Sequence, residues 1–177
     1  ELNYDTFPAR AKDIYRVEIN VENKDFYSAC DNAVGEGMKN TYPEIEEYTR
    51  LTSWHKVFIQ SGNNQFKENL GVADANFLRF FSIPLAEGNI QTALSEPHCA
   101  VISKQLAKKY FGTENAMGRF ITINNAANPT KITGILDETP GKLHFNFDIY
   151  IKMNDVDYRR TWSNVGVYTY VRLLPGT

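Results

Sequence analysis

The groups with which this chain could do chemistry are three histidines, two cysteines and a run of glutamates. His55, His98 and His144 are far apart in sequence. His144 lies in the stretch HFNFD, where the two-residue period of a strand puts His144, Asn146 and Asp148 on one face. Same-face neighbours on a strand are about 6.7 Å apart, and His144 to Asp148 is about 13 Å. Two ligands of one zinc must each come within about 2.0–2.2 Å of it. The pair therefore cannot share an ion on a straight strand, and a metal site would need ligands from elsewhere. Polar side chains on a wet face are the simpler account. Glu44, Glu46 and Glu47 sit beside Tyr48. Close carboxylates can divide acid and base roles, but such a run also describes a solvated face. Cys30 and Cys99 lack the spacing of a metal-ligand pair. They read as small buried residues, with a disulfide as the alternative that spacing cannot test.

Other chemical signatures are missing. No G-x-S-x-G turn occurs, so the common serine hydrolase elbow is absent. Gly35-Glu36-Gly37 is followed by Asn40 where a dinucleotide fingerprint needs its third glycine. Gly141-Lys142 is followed by Leu143 rather than Ser or Thr, which excludes a phosphate loop. The aromatic cluster Phe77 to Phe81 could box a ligand, but at helical spacing it reads as core. No catalytic, cofactor-binding or metal-binding residue is assigned, and the chain is expected not to be an enzyme.

The elements that would position such groups centre on Val72 to Ile123. An apolar cluster at Phe77, Leu78, Phe80, Phe81, Ile83 and Leu85 stops at Gly88. Ala100-Val101-Ile102 predicts a strand. Ser103 is placed to cap a helix by accepting from its free N–H groups. Leu106 and Tyr110 share a helical face, with Ala107 and Phe111 beside them. Gly112 ends the helix, because glycine tolerates a left-handed backbone. Gly118 then turns the chain into a strand, Phe120 to Ile123, with Ile121 and Ile123 on one face.

Around that centre the pattern predicts a helix over Tyr4 to Ile14, with Asp5 or Thr6 as cap and Pro8 in its first turn. A half-buried strand follows, with Tyr15, Val17, Ile19 and Val21 inward. Asn23 to Asp25 reads as a turn and Phe26 to Tyr42 as a helix, weakened by Gly35 and Gly37. Ile45, Tyr48, Leu51 and Trp54 recur every third residue, which fits no regular period well and suggests a strand. Val57 to Ile59 reads as a further strand, Ser61 to Asn64 as a turn, and Phe66 to Val72 as a strand with a partly wet face. Thr130 to Leu136, His144 to Ile151 and Val165 to Leu174 read as strands, and Val156 to Trp162 as irregular or a short helix. Helices and strands interleave with short links, so the fold class is α+β.

Composition excludes several classes. At 177 residues roughly 70% of the unfolded surface can be buried, so neither disulfide nor metal is needed for a core. A net charge of -2 gives no basic surplus for neutralising phosphates, so no nucleic-acid partner is expected. No stretch approaches the roughly 20 apolar residues of a membrane span, and no signal-peptide pattern begins at Glu1.

The ordered series VADANFLRFFSIPLAEGN, EPHCAVISKQLAKKYFG and the Met117-Gly118 turn into RFITIN resembles the MacB-like periplasmic core domain of ABC transporter permeases of the MacB/FtsX type. YDTFPARAKDIYRV resembles the helix and strand that follow the first transmembrane helix in such permeases. KITGILDETPGKLHFNFDIYI resembles the family's later strand pair. The resemblance implies an extracytoplasmic, periplasmic domain of a cytoplasmic-membrane protein, set between the first two transmembrane helices. It implies two lobes: a Porter-like mixed α/β lobe over 1–76 and 157–177, and a Sabre-like, mostly β insertion over 77–156. In the family a helix and a strand usually follow the position of Thr177; if they are absent here, the Porter-like lobe is expected to be incomplete or trimmed. The implied function is non-catalytic. Cytoplasmic ATP hydrolysis by a separate ABC ATPase subunit would be coupled to substrate export or to an extracytoplasmic partner. No cofactor is implied. The implied partners are that ATPase, a second permease copy, and a periplasmic adaptor or substrate.

Two other classes compete. An extracytoplasmic ligand-binding sensor domain needs an enclosed pocket with a few convergent polar groups. A secreted enzyme needs a cleft with perturbed titratable groups. The permease reading further predicts that the domain binds no ATP and that Phe81 is core.

Overall fold

The computed structural model describes residues 8, 10–21, 25–112, 115–139, 143–153 and 165–177. The expected turn at Asn23-Lys24 and the segment Val156 to Trp162 lie outside them, as does most of the helix expected over Tyr4 to Ile14. What is described of that helix is one 3-10 turn, Ala11–Asp13. It leads into β1 (Ile14–Arg16). The Val17 N–H still bonds the Thr169 carbonyl at 2.8 Å, and beyond it the chain forms β2 (Ile19–Val21), which among the described residues pairs with β3 (Asp25–Tyr27). The expected inward row of one continuous strand is therefore broken, and Tyr15 is exposed.

The helix expected from Phe26 starts late. Phe26 stands 70% exposed in β3, β4 (Cys30–Asp31) follows, and α1 covers only Val34–Thr41. The apolar spacing of Phe26, Cys30 and Ala33 mimics a helical stripe, but β4 pairs instead with the last strand, β12 (Val165–Leu173). Gly35 is what seats α1. A Cβ there would fall 2.4 Å from the Tyr48 ring, so only glycine lets the helix lie this close to the sheet.

The remaining elements follow in order. They are β5 (Ile45–Ser61), β6 (Asn64–Ala73), α2 (Phe77–Phe80), β7 (Leu85–Gly88), β8 (Cys99–Ser103), α3 (Lys104–Phe111), β9 (Phe120–Ile123), β10 (Thr130–Leu136), β11 (Ile149–Lys152) and β12 (Val165–Leu173). Ser103 Oγ accepts from Leu106 N–H at 3.0 Å, and Gly112 ends α3 at φ 66, both as the sequence predicts. The strand expected from His144 begins only at Ile149; the Asp148 carbonyl accepts from the Ser103 N–H at 2.7 Å as the chain enters it.

Ten strands form one sheet among the described residues, ordered β1-β12-β5-β6-β11-β8-β10-β7, with β4 on β12. β9 pairs with both β10 and β5. Pairing therefore runs around a closed ring of six strands: β5, β6, β11, β8, β10, β9 and back to β5. Ile59, Leu70, Val72, Ala100, Ile102, Ile121, Ile123, Ile132 and Ile149 pack in one cluster with Leu106, Tyr110 and Phe111 of α3. A second cluster lies on the opposite side of the wall. There Phe77, Leu78, Phe80 and Phe81 pack on Ala73, Cys99, Val101, Phe145, Tyr150 and Tyr170. Cys99 and Val101 serve one cluster and Ala100 and Ile102 the other, which is why the run CAVI is apolar without alternation.

β5 is one 17-residue strand rather than two. It carries two bulges. Trp54 opposes Leu70 and Val57 opposes Glu68, so β5 holds one extra residue there, with Lys56 at φ 56. Glu47 opposes Arg172 and Ile45 opposes Leu173, so Glu46 is extra at the other end. The bulge near Lys56 changes which parity faces inward. Leu51 serves the aromatic cluster, whereas Val57 and Ile59 serve the ring interior.

Candidate functional site

Glu44 of the glutamate run is exposed, as a solvated face requires. The bulge at Glu46 and the pairing of β5 with β12 bring Glu46 and Glu47, both partly buried, under three arginines, which is not the arrangement of an acid/base pair. Arg10 donates from its guanidinium to Glu46 Oε2 at 2.5 Å and to the Leu173 carbonyl at 2.5 Å, and from Nε to Asp13 at 2.8 Å. Arg172 ion-pairs with Glu46 at 3.5 Å and with Glu47, and its guanidinium lies 4.9 Å over the Phe80 ring. Arg79 of α2 closes the group by pairing with Glu47. The hydrogen bond from Arg10, aided by its charge, holds the Glu46 carboxyl below the ordinary carboxylate range. A group kept ionised in this way is poorly suited to deliver a proton near neutral pH.

Next to this group β5 also holds the chain that leads into α2. Asn76 donates from Nδ2 to Glu47 Oε1 at 2.9 Å and to the Tyr48 carbonyl at 2.8 Å, and Thr49 Oγ1 donates to Asn76 Oδ1 at 2.9 Å. Arg50, 1% exposed, grips Asp74 with Nε at 2.9 Å and a terminal nitrogen at 2.8 Å, and donates to the Asn32 carbonyl at 3.0 Å. The result is a polar junction where the 3-10 turn, the start of β5, the end of β12, the turn into α2 and the approach to α1 meet. Sequence reading saw only the glutamates. The partners of Glu47 lie 29 to 125 residues away, and Glu46 meets Arg10, 36 residues away, as well as Arg172, and no local spacing encodes that.

The other chemically capable groups stay apart. His144, Asn146 and Asp148 are exposed as expected, while Phe145 is buried. His144 Nε2 lies 2.6 Å from the Tyr170 hydroxyl. His55 Nε2 meets Ser53 Oγ at 3.0 Å in an exposed position. No group of three or more metal-capable side chains occurs among the described residues. Cys30 and Cys99 are both free and buried, and burial pushes the Cys30 thiol up to about 11. The Phe77 to Phe81 cluster is solid core rather than a ligand box.

Open clefts lie among the described residues. One beside His144 and Tyr170 has about 370 Å³, and one beside Glu47 and Asp74 about 410 Å³. Another, about 830 Å³, lies at the ends of the parallel strands β8 and β10. Lys104 and Asp137 ion-pair at its edge, and the hydrogen bond between them lowers the Asp137 pKa and raises that of Lys104. That pair is exposed, so it is screened by solvent. No helix of the described residues is long and apolar enough to cross a membrane.

The sequence model of the MacB-like periplasmic core domain family matches residues 1–177. Over 101 residues the chain is 30% identical to the pyoverdine export ATP-binding/permease protein PvdT of Pseudomonas aeruginosa. That match covers 55% of this chain and only 15% of PvdT. The fold matches a domain from a Porphyromonas gingivalis protein assigned as a permease, with TM-score 0.78 at 21% identity, covering 93% of this chain and 74% of that one. It matches the periplasmic region of MacB from Actinobacillus actinomycetemcomitans with TM-score 0.66 at 15% identity, covering 93% and 74%. It also matches the extracellular domain of the ABC-type transporter YknZ from Gram-positive bacteria with TM-score 0.63 at 13% identity, covering 92% and 83%. At these identities the structural matches establish the α+β fold.

Proposed function

This chain belongs to the MacB-like periplasmic core domain family, and we propose that it is the non-catalytic extracytoplasmic domain of an ABC transporter permease. In this reading a separate cytoplasmic ATPase hydrolyses ATP. Membrane helices carry the motion outward, and the domains of two permease copies move against each other to drive export or act on an extracytoplasmic partner. The lobes are divided after Asn76 and again after Val156, with 1–76 and 157–177 as the Porter-like part and 77–156 as the insertion.

The observation that carries the coupling reading is the polar junction. β1 and β12 are paired neighbours, with Ile14 opposite Arg172. Force arriving along either strand meets Arg10 and Arg172, and through Glu46 and Glu47 it reaches β5 and Arg79 of α2. β5 then continues into the closed ring, paired with β12 and β6 on either side of its bulges. A continuous strand of this kind is what a lever would use. Coupling also needs two states a few kcal/mol apart, which the paired domains would supply by their relative placement.

The test uses the full-length permease and its ATPase in nanodiscs, with spin labels at exposed Gln65 in both copies. Trapping the ATPase with ATP and vanadate is expected to shift the distance between labels. Glu46→Gln with Glu47→Gln should leave basal ATP turnover in place and reduce that shift by at least half. An unchanged distance in an active, trapped complex sinks the coupling reading. Calorimetry on the chain alone should find no saturable ATP binding.

A further inference from the structure

The ring of strands has an outer wall that is covered on one side and bare on the other. Around β11 and β8 the wall carries the aromatic cluster of α2. Around the first half of β6, the last third of β5, β9 and the start of β10 it is exposed. Register decides which side chains stand there, because directly paired residues share a face. Lys67 pairs with Phe58, Gln65 with Gln60, Gln60 with Thr122, and Lys131 with Phe120. Their strand neighbours Ile59, Ile121 and Ile123 are buried in the ring, so this row points outward. Phe58 is 43% and Phe120 54% exposed. The Lys67 ammonium sits 4.9 Å from the Phe58 ring centre, so cation and ring form one unit.

Among the described residues this face offers two phenylalanines, two lysines, amides and a threonine hydroxyl, and no carboxylate. The chain as a whole is at -2, so the face is locally opposite in sign to the rest. Exposed aromatics are enriched in protein-binding patches; lysine is not, so Lys67 and Lys131 enter as the charge that selects and orients a partner of opposite sign. Two lysines are too few to hold a polyphosphate backbone.

We propose that this face docks an acidic polypeptide surface of an extracytoplasmic protein. Carboxylates of the partner meet Lys67 and Lys131, and its apolar side chains cover Phe58 and Phe120. The choice of a protein over a lipid surface rests on the proposed function. There, β1 and β12 lead toward the membrane, and β5 runs from Ile45 beside Leu173 to Ser61 at the far end. At about 3.3 Å per residue the strand's contour is at most roughly 50 Å, and the face lies toward its far end, away from the bilayer in that reading.

The probe is a fluorescent peptide alternating Asp or Glu with Leu or Trp, compared with its Asn/Gln counterpart, against the full 177-residue chain. Expected are saturable binding of the acidic peptide, at least tenfold weaker binding of the neutral one, and amide NMR shifts confined to β5, β6, β9 and β10. The double variant K67E/K131E should weaken binding more than tenfold and F58A/F120A severalfold. All four side chains are exposed, so the variants should keep the wild-type amide spectrum elsewhere. Equal binding to K67E/K131E, or no binding at all, overturns the proposal. So does attachment to vesicles of anionic phospholipid without peptide binding, which would make the face a lipid site. Loss of a concentration-dependent dimer in K67E/K131E would make the occupant a second copy and would also overturn it. Failure of the ATP-driven distance change leaves this assay untouched, so the two ideas fail separately.

Discussion

Arg50 and Asp74 are joined by a bidentate ion pair, Nε to Oδ2 at 2.9 Å and a terminal nitrogen to Oδ1 at 2.8 Å, while the Arg50 amide donates to the same carboxylate at 2.8 Å. The Asp74 amide returns a bond to the Arg50 carbonyl at 3.1 Å. Side chain and backbone thus fix the point where β6 leaves the sheet for α2. Asp74→Ala leaves a buried guanidinium without its counter-charge, which costs about 3–5 kcal/mol. Arg50→Met with Asp74→Leu should cost less than the sum of the single changes, because no orphan charge remains. Urea unfolding midpoints of the three variants decide it. Full additivity would mean that the two residues do not act as a pair.

Phe81 is 2% exposed and its ring meets those of Phe77, Phe80, Phe145 and Tyr170 at centroid distances of 4.9 to 5.1 Å. Phe81→Ala should therefore destabilise the chain by about 3–5 kcal/mol through the cavity left behind. A denaturant titration with a change near zero would show that neighbouring rings collapse into the space.

Gly35→Ala sets two effects against each other. Alanine improves helix propensity by about 1 kcal/mol, but its Cβ would fall 2.4 Å from the Tyr48 ring. Overpacking of this kind costs about 1–3 kcal/mol, so the net change should be destabilising. In a Tyr48→Ala background the clash is gone, and Gly35→Ala should become stabilising. The same sign in both backgrounds would show that the ring is not what limits residue 35.

Acid should weaken the ion pairs in a defined window. Hydrogen bonding to Arg10 lowers the Glu46 pKa, and bonding to Lys104 lowers that of Asp137, relative to 4.5 and 3.8. A carboxyl whose folded pKa is depressed adds stability above its unfolded pKa and loses it as pH falls through the folded one. Both side chains keep more than a third of their surface in water, 36% for Glu46 and 44% for Asp137, so the gain is small and screened. Glu46→Gln with Asp137→Asn should flatten the fall in stability below about pH 4.5. In roughly 1 M salt, where the screening length is ~3 Å, the difference should vanish. Parallel pH profiles at low salt would contradict it.

Much of the middle of the chain was legible because its signals are local. Ser103 caps α3 and Gly112 ends it through contacts made within a few residues, and Ile121 and Ile123 show their face by simple alternation. The family could be recognised for the same reason: an ordered series of such signals survives in the sequence. Phe26, by contrast, was misread. Its spacing to Cys30 and Ala33 copies a helical stripe, while the pairing of β2 with β3 and of β4 with β12 decides the outcome.

The sequence by itself determined the α+β class, the helix α3, the buried phenylalanines and the absence of a phosphate loop. Each follows from residue type and short spacing. Only the tertiary structure decided that β9 closes a ring onto β5, that bulges at Glu46 and Lys56 let β5 serve two cores, and that Glu46 and Glu47 are neutralised by Arg10, Arg79 and Arg172. These depend on partners as much as 125 residues apart. Strand register chooses such partners, and register is a property of the assembled sheet.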